Sequence, residues 1–206
     1  MSMTLSPPVL GDLLPATRLR DVALVVGGAT TVALVGQISV PLPFTPVPLT
    51  LGTFAALAVG ASLGPVRATL SLGLFLVAGI IGAPVFAGWG SGWEAASFGY
   101  ALGYLPAAAL AGWLAARGAD RSVWRAAAMY AAAGAVIYLF GVPWLMVALG
   151  VGLPEAIALG VLPFLVGDAL KAAAVALLLP GTWRLLGSRA GSDDPADPAP
   201  RRSIPT

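Results

Sequence analysis

Six long apolar runs, parted by short segments rich in glycine, proline or arginine, set the pattern of this chain. They cover residues 22–40, 49–63, 68–81, 98–116, 124–149 and 155–179. About 20 predominantly apolar residues in an α-helix cross the hydrocarbon core of a bilayer, so the pattern predicts an all-α integral membrane protein with six transmembrane helices. Gly64-Pro-Val-Arg67 is expected to be the tight turn between the second and third runs. Pro143 and Pro163 are expected to bend the fifth and sixth, because proline lacks a backbone donor and its ring disturbs the preceding turn.

The connectors carry their own signals. Pro41-Leu-Pro-Phe-Thr-Pro-Val-Pro48 has four prolines in eight residues, which makes it extended and stiff. It is also apolar, and two readings stand: a lid folded over a cavity at the membrane face, or a rigid spacer between helices. Gly82-Ala-Pro-Val-Phe-Ala-Gly-Trp-Gly-Ser-Gly-Trp-Glu94 permits close backbone approach, and Trp89 and Trp93 suit the wet edge of a bilayer. In the first run Ala29 and Ala33 form a small-xxx-small pattern that lets another helix approach, either one of the chain's own or a partner's.

Charge orients the helices. Arg18, Arg20, Arg67, Arg117, Arg121, Arg125, Arg184, Arg189, Arg201 and Arg202 fall on the side of the termini, whereas the opposite connectors carry only Glu94 and Glu155. The positive-inside rule then puts both termini in the cytoplasm. Residues 1–20 are read as a cytoplasmic lead, 21–187 as the transmembrane domain and 188–206, rich in Pro, Asp and Arg, as a disordered cytoplasmic tail. No cleavable signal is evident, so the first span is expected to stay.

Composition narrows the function. The chain of 206 residues is 58% hydrophobic and 10% charged, with a mean hydropathy of +0.90; soluble domains carry roughly 25% charge. A multi-pass protein of the cell membrane, in contact with lipid, is expected. The net charge is +2 with basic residues scattered singly, which is no nucleic-acid footprint. There is no cysteine and no histidine, which removes disulfides, thiolate nucleophiles, zinc clusters and imidazole bases. A Walker-type loop is also missing. The chain reads as a non-enzyme without metal or cofactor.

One stretch stands apart. Gly160-Val-Leu-Pro-Phe-Leu-Val-Gly-Asp-Ala-Leu-Lys171 sets Asp168 and the chain's single lysine, Lys171, in an apolar segment. Three residues apart, they share one helix face. A charge at mid-bilayer costs ~2.5–3.5 kcal/mol on insertion scales, so such residues face a partner, a cavity or a ligand. Either they form a polar ligand site, or they are a mutually neutralised pair that glues helices or snorkels to an interface. As a site, Asp168 would accept N–H groups and Lys171 would meet a carboxylate or steady Asp168. Phe44, Phe86, Trp89 and Phe164 would line a pocket for a partly apolar ligand, and Tyr100 and Tyr104 could donate hydroxyls.

Several stretches together resemble the BioY family, the biotin-specific substrate-binding (S) components of energy-coupling factor (ECF) transporters. They are Gly36-Gln-Ile-Ser-Val-Pro-Leu-Pro-Phe-Thr-Pro-Val-Pro-Leu-Thr50, Ala61-Ser-Leu-Gly-Pro65, Gly82-Ala-Pro-Val-Phe-Ala-Gly88, Ile137-Tyr-Leu-Phe-Gly-Val-Pro-Trp144 and the Asp168–Lys171 stretch. The resemblance runs in order from about Val22 to Leu179. It implies a six-helix S-component fold that binds biotin from outside. It also implies Asp168 at the ureido ring, Lys171 near the carboxylate, and Thr45, Thr50 and aromatic residues in the pocket. Ala29 and Ala33 would dock on the ECF transmembrane coupling protein, with two ATPase subunits completing a transporter in which the S component topples to deliver biotin. One region departs: relatives carry a longer glycine-rich run ending in Gly-Pro-Thr-Gly-Gly-Tyr, and here Gly88-Trp-Gly-Ser-Gly-Trp-Glu-Ala-Ala-Ser-Phe-Gly-Tyr100 keeps Tyr100 but has no basic residue. An S component for another vitamin-like substrate, and a membrane scaffold without a ligand, are the alternatives.

Overall fold

The computed structural model describes residues 9–14 and 17–192. Its elements are α1 (Arg18–Val35), the strands β1 (Ser39–Val40) and β2 (Leu49–Thr50), then α2 (Gly52–Ile80), α3 (Phe98–Ala115), α4 (Val123–Leu149), α5 (Leu153–Gly160) and α6 (Leu165–Ser192). Among the described residues, four helical segments are long and apolar enough to cross a membrane: Gly52–Ile80, Phe98–Ala115, Val123–Leu149 and Leu153–Leu185. Thr17 starts α1 by accepting the Arg20 N–H at 3.1 Å, which satisfies one of the first-turn donors.

Gly64 divides α2. Its φ of 80° and ψ of 172° belong to a region open essentially to glycine, and Pro65 follows, suited to open a new helix. Contacts with α3 show the chain turning back there. Gly52 lies against Tyr104, Gly60 against Ala108 and Gly64 against Gly112, so the first half runs parallel to α3. Beyond the turn Gly73 lies against Leu105 and Phe75 stacks on Tyr104 with centroids 6.4 Å apart, so the second half runs back. Small residues allow this packing: a Cβ on Gly60 would sit 2.6 Å from the Ala108 carbonyl oxygen, and one on Gly112 would sit 2.6 Å from the Gly64 backbone. Ala56, Ala107, Ala108, Ala111 and Ala115 are fully buried around that seam.

The small residues of α1 serve the same purpose. Ala29 is buried in the core and Ala33 packs against it, while neighbouring Gly28 lies so close to α2 that a Cβ would meet Ser71 Oγ at 2.6 Å. Of the two approaches expected at Ala29 and Ala33, a helix of the chain's own or a partner's, the fold shows packing within the chain at both. The outward face of α1 instead carries Ala23, Gly27, Thr30 and Thr31.

The end of the molecule bearing the arginines is tied by polar contacts. Arg67, beside the α2 turn, bonds Asp12 at 2.8 Å and Asp21 at 3.0 Å. Across the molecule, Trp183 Nε1 of α6 donates to Asp120 Oδ2 at 2.6 Å, and the Arg121 guanidinium lies 4.6 Å from the Trp183 ring. Helix α6 runs on to Ser192, so residues 188–192 are helical where a tail was expected to start; residues 193–206 lie outside the described residues, as do 1–8, 15 and 16 of the lead.

Candidate ligand-binding site

The site begins where the last crossing is interrupted. Helix α5 stops at Gly160, a 3-10 turn covers Leu162–Phe164, and α6 starts at Leu165. The bend expected at Pro163 is thus a full break, with Val161 at φ −126° and ψ −60°. Pro163 has no N–H for the Leu159 carbonyl one turn back, and in an apolar surrounding that oxygen must find another donor. The Thr45 hydroxyl supplies it at 2.8 Å. The next carbonyl, Gly160, accepts from the Tyr100 hydroxyl at 2.9 Å.

The break aims the first turns of α6 inward. Lys171 is 7% exposed and its Nζ donates to Asp168 Oδ1 at 3.2 Å and to Thr53 Oγ1 at 2.9 Å. The other oxygen, Asp168 Oδ2, accepts the Tyr138 hydroxyl. Charge is thus met by charge and by two hydroxyls, as a buried pair requires. The pair is not sealed in packing, because Asp168, Lys171, Thr53 and Tyr138 all line a cavity of about 130 Å³. Its remaining wall is mainly apolar and includes the aromatic rings of Phe75, Phe86, Phe98, Tyr100, Tyr104 and Phe164. Phe75 meets Phe86 edge-on at 5.3 Å and Phe86 meets Phe98 at 6.0 Å, the arrangement ring quadrupoles favour. Such a cavity takes a ligand with a flat apolar body and a polar head.

Two connectors close the cavity at the end away from the arginines. The proline-rich segment 41–48 is the loop of a hairpin whose strands pair Ser39 with Thr50 and Val40 with Leu49, and Val47, Pro48 and Thr50 reach the cavity. The glycine-rich segment 82–97 is pinned by Gln37. Its Nε2 donates to the Val85 and Phe86 carbonyls at 3.2 and 3.1 Å, and its Oε1 accepts the Trp89 N–H at 2.8 Å. Phe86 drops its ring onto Gly79, where a Cβ would come within 2.1 Å.

The expected site residues therefore divide. Asp168, Lys171, Tyr100, Phe86 and Phe164 line the cavity; Phe44, Thr45 and Trp89 do not. Phe44 and Trp89 are 60% and 62% exposed. The hydroxyls of Thr45 and Tyr100 are committed to the carbonyls freed at the break, so Thr45 supports the site from behind and Tyr100 offers its ring.

The sequence profile of the BioY family matches residues 6–188. The chain belongs to the BioY family. A Pyrococcus horikoshii protein named Probable biotin transporter BioY is 37% identical over 161 residues, which is 78% of this chain and 94% of that relative. A Bacillus subtilis protein of the same name is 37% identical over 142 residues, 66% of this chain and 75% of that one. The crystal structure of the S-component for biotin from an ECF-type ABC transporter matches in fold with a TM-score of 0.73, over 82% of this chain and 95% of that one, at 23% identity. With its long apolar helices, this BioY-family chain is a membrane protein.

Within the BioY-family chain, the residues that sequence reasoning passed over are Thr53, Tyr138, Tyr130 and Gln37. A signal for two of them exists: Tyr130, Gly134 and Tyr138 recur at four-residue spacing on α4, a polar and small stripe in an apolar helix. Gln37 is the chain's single carboxamide side chain, which marks it as well.

Proposed function

We propose that this chain is the biotin-binding S component of an ECF transporter, taking biotin from outside the cell. The carrying observation is the Asp168–Lys171 pair, buried yet open to an aromatic cavity, in a chain of the BioY family. Biotin's ureido ring offers two N–H donors and one carbonyl acceptor. Asp168 takes an N–H and Lys171 donates to the carbonyl, so a neutral head meets a neutral pair. The fused rings lie among Phe75, Phe86, Tyr104 and Phe164. The proline hairpin and the glycine-rich connector, held by Gln37, retain the ligand.

Counting the two halves of α2 separately, and α5 with α6 as one broken crossing, the chain crosses the cell membrane six times. The arginine bias favours cytoplasmic termini. ATP hydrolysis falls to two partner ATPase subunits through a coupling protein. Ala23 and Gly27, the outward small residues of α1, are the surface we assign to that coupling protein; a Cβ on Gly27 meets nothing within 4 Å, so the groove above it is free for another helix.

Uptake of labelled biotin by biotin-auxotrophic cells that express this chain with an ECF energising module tests the proposal. Saturable uptake lost in Asp168→Asn supports it. Uptake of a different vitamin in preference to biotin, or none despite correct insertion, refutes it.

A further inference from the structure

The far end of the ligand raises a separate question. Resting on the biotin reading above, we infer that this chain recognises the ureido head and leaves the carboxyl end without a cationic partner, so that carboxyl-neutral biotin derivatives, esters and amides, are ligands of the same site. The cavity's charged lining is Asp168 and Lys171 alone among the described residues. Lys171 is already engaged by Asp168 at 3.2 Å and by Thr53 at 2.9 Å. A second carboxylate brought to that ammonium would also face the Asp168 carboxylate, and like charges at close quarters repel. The neutral ureido group suffers no such penalty, so the carboxylate is directed to the opposite end.

That end is built by the connector 82–97, which contributes Ala87, Gly90, Ser91, Ala95 and Ser97 to the lining. Its single ionisable residue is Glu94, exposed and of the wrong sign for a carboxylate. The side-chain polar groups on offer are hydroxyls: Ser91 is exposed and Ser97 half-buried. A serine hydroxyl donates to a carboxylate, an ester carbonyl or an amide carbonyl alike, and discriminates little between them. Ser91 at the surface also leaves room for a substituent to emerge toward water. The substrate class is therefore wider than the free vitamin.

The test is displacement of labelled biotin from the purified full-length chain by biotin, biotin methyl ester and biotinamide. The inference expects ester and amide to bind within about tenfold of biotin, since no desolvated charge pair is lost. It also expects Lys171→Gln to weaken acid and ester by the same factor. An ester weaker by more than about tenfold overturns the inference while leaving biotin binding intact. So does an acid preference that disappears in Lys171→Gln, which would make Lys171 the carboxylate's partner. The wild-type comparison stands even if that variant does not fold. Absence of saturable biotin binding would instead remove the parent reading, and this inference with it.

Discussion

Breaking the buried pair one partner at a time, and then both together, probes the energetics of the site. Lys171 Nζ and Asp168 Oδ1 are 3.2 Å apart, with side chains 8% and 23% exposed. At an effective dielectric of about 20 their attraction is about 5 kcal/mol, much of it offset by desolvation. Asp168→Asn leaves the ammonium buried with Thr53 and a neutral amide, and should cost about 3–5 kcal/mol. For a chain of this size that is a fall in Tm of about 6–20 °C. Lys171→Met should cost less, because Asp168 is more exposed and keeps the Tyr138 hydroxyl. The double variant carries neither charge and should be more stable than the sum of the two single losses predicts, by about 1–3 kcal/mol of coupling. Tm measured on ligand-free protein in one detergent decides it. Costs that add to within about 0.5 kcal/mol would refute the reasoning that the two charges hold each other in place. Recovered stability should not restore biotin binding, which needs both groups.

Other consequences are as specific. Gln37→Leu removes the amide that pins the glycine-rich connector at three points, and should raise the biotin dissociation rate about 5–30-fold; an unchanged rate in a chase experiment would count against a retaining role. Gly112→Ala drives a Cβ to 2.6 Å from the Gly64 backbone and should destabilise by about 1–3 kcal/mol. Gly27→Ala should leave Tm and biotin affinity alone, and Gly27→Leu should weaken co-purification with the coupling protein; retention of the complex would clear that face of the role. Burial raises the Asp120 carboxyl above the usual carboxylate range, against the opposing Trp183 hydrogen bond. The folded state then holds that proton more tightly than the unfolded one, so the associated stability is full at low pH and lost as pH rises through the folded value. The stability of wild type relative to Asp120→Asn should thus rise as pH falls toward the unfolded carboxyl value of about 3.9; a fall over that range would contradict this.

Much of the fold was legible because a bilayer enforces long apolar runs, and because glycine and proline punctuate them. Gly64-Pro65 marks a reversal, and Pro163 marks a break. Asp168 and Lys171 were legible for a related reason: charge in an apolar helix is costly enough to need a cause. Helix rotation was not legible, since runs apolar all round give periodicity no contrast to work with. That is why Ala29 and Ala33 turned out to pack inward and Ala23 and Gly27 to lie outward. The work of Thr45 and Tyr100 was hidden for another reason. Nothing local tells which hydroxyl will satisfy a carbonyl freed by a distant proline. The short strands β1 and β2 escaped as well, because two residues carry no alternation and proline masks the pairing.

The central claim is that an acid and an amine are tolerated inside this apolar bundle because together they receive the head of biotin. Calorimetric titration of biotin into the detergent-purified chain tests it most directly. The account predicts one saturable site per chain in the wild type, and affinity weakened at least about tenfold in a folded Asp168→Asn variant. A titration without saturable heat, or equal affinity in the two proteins, would contradict it.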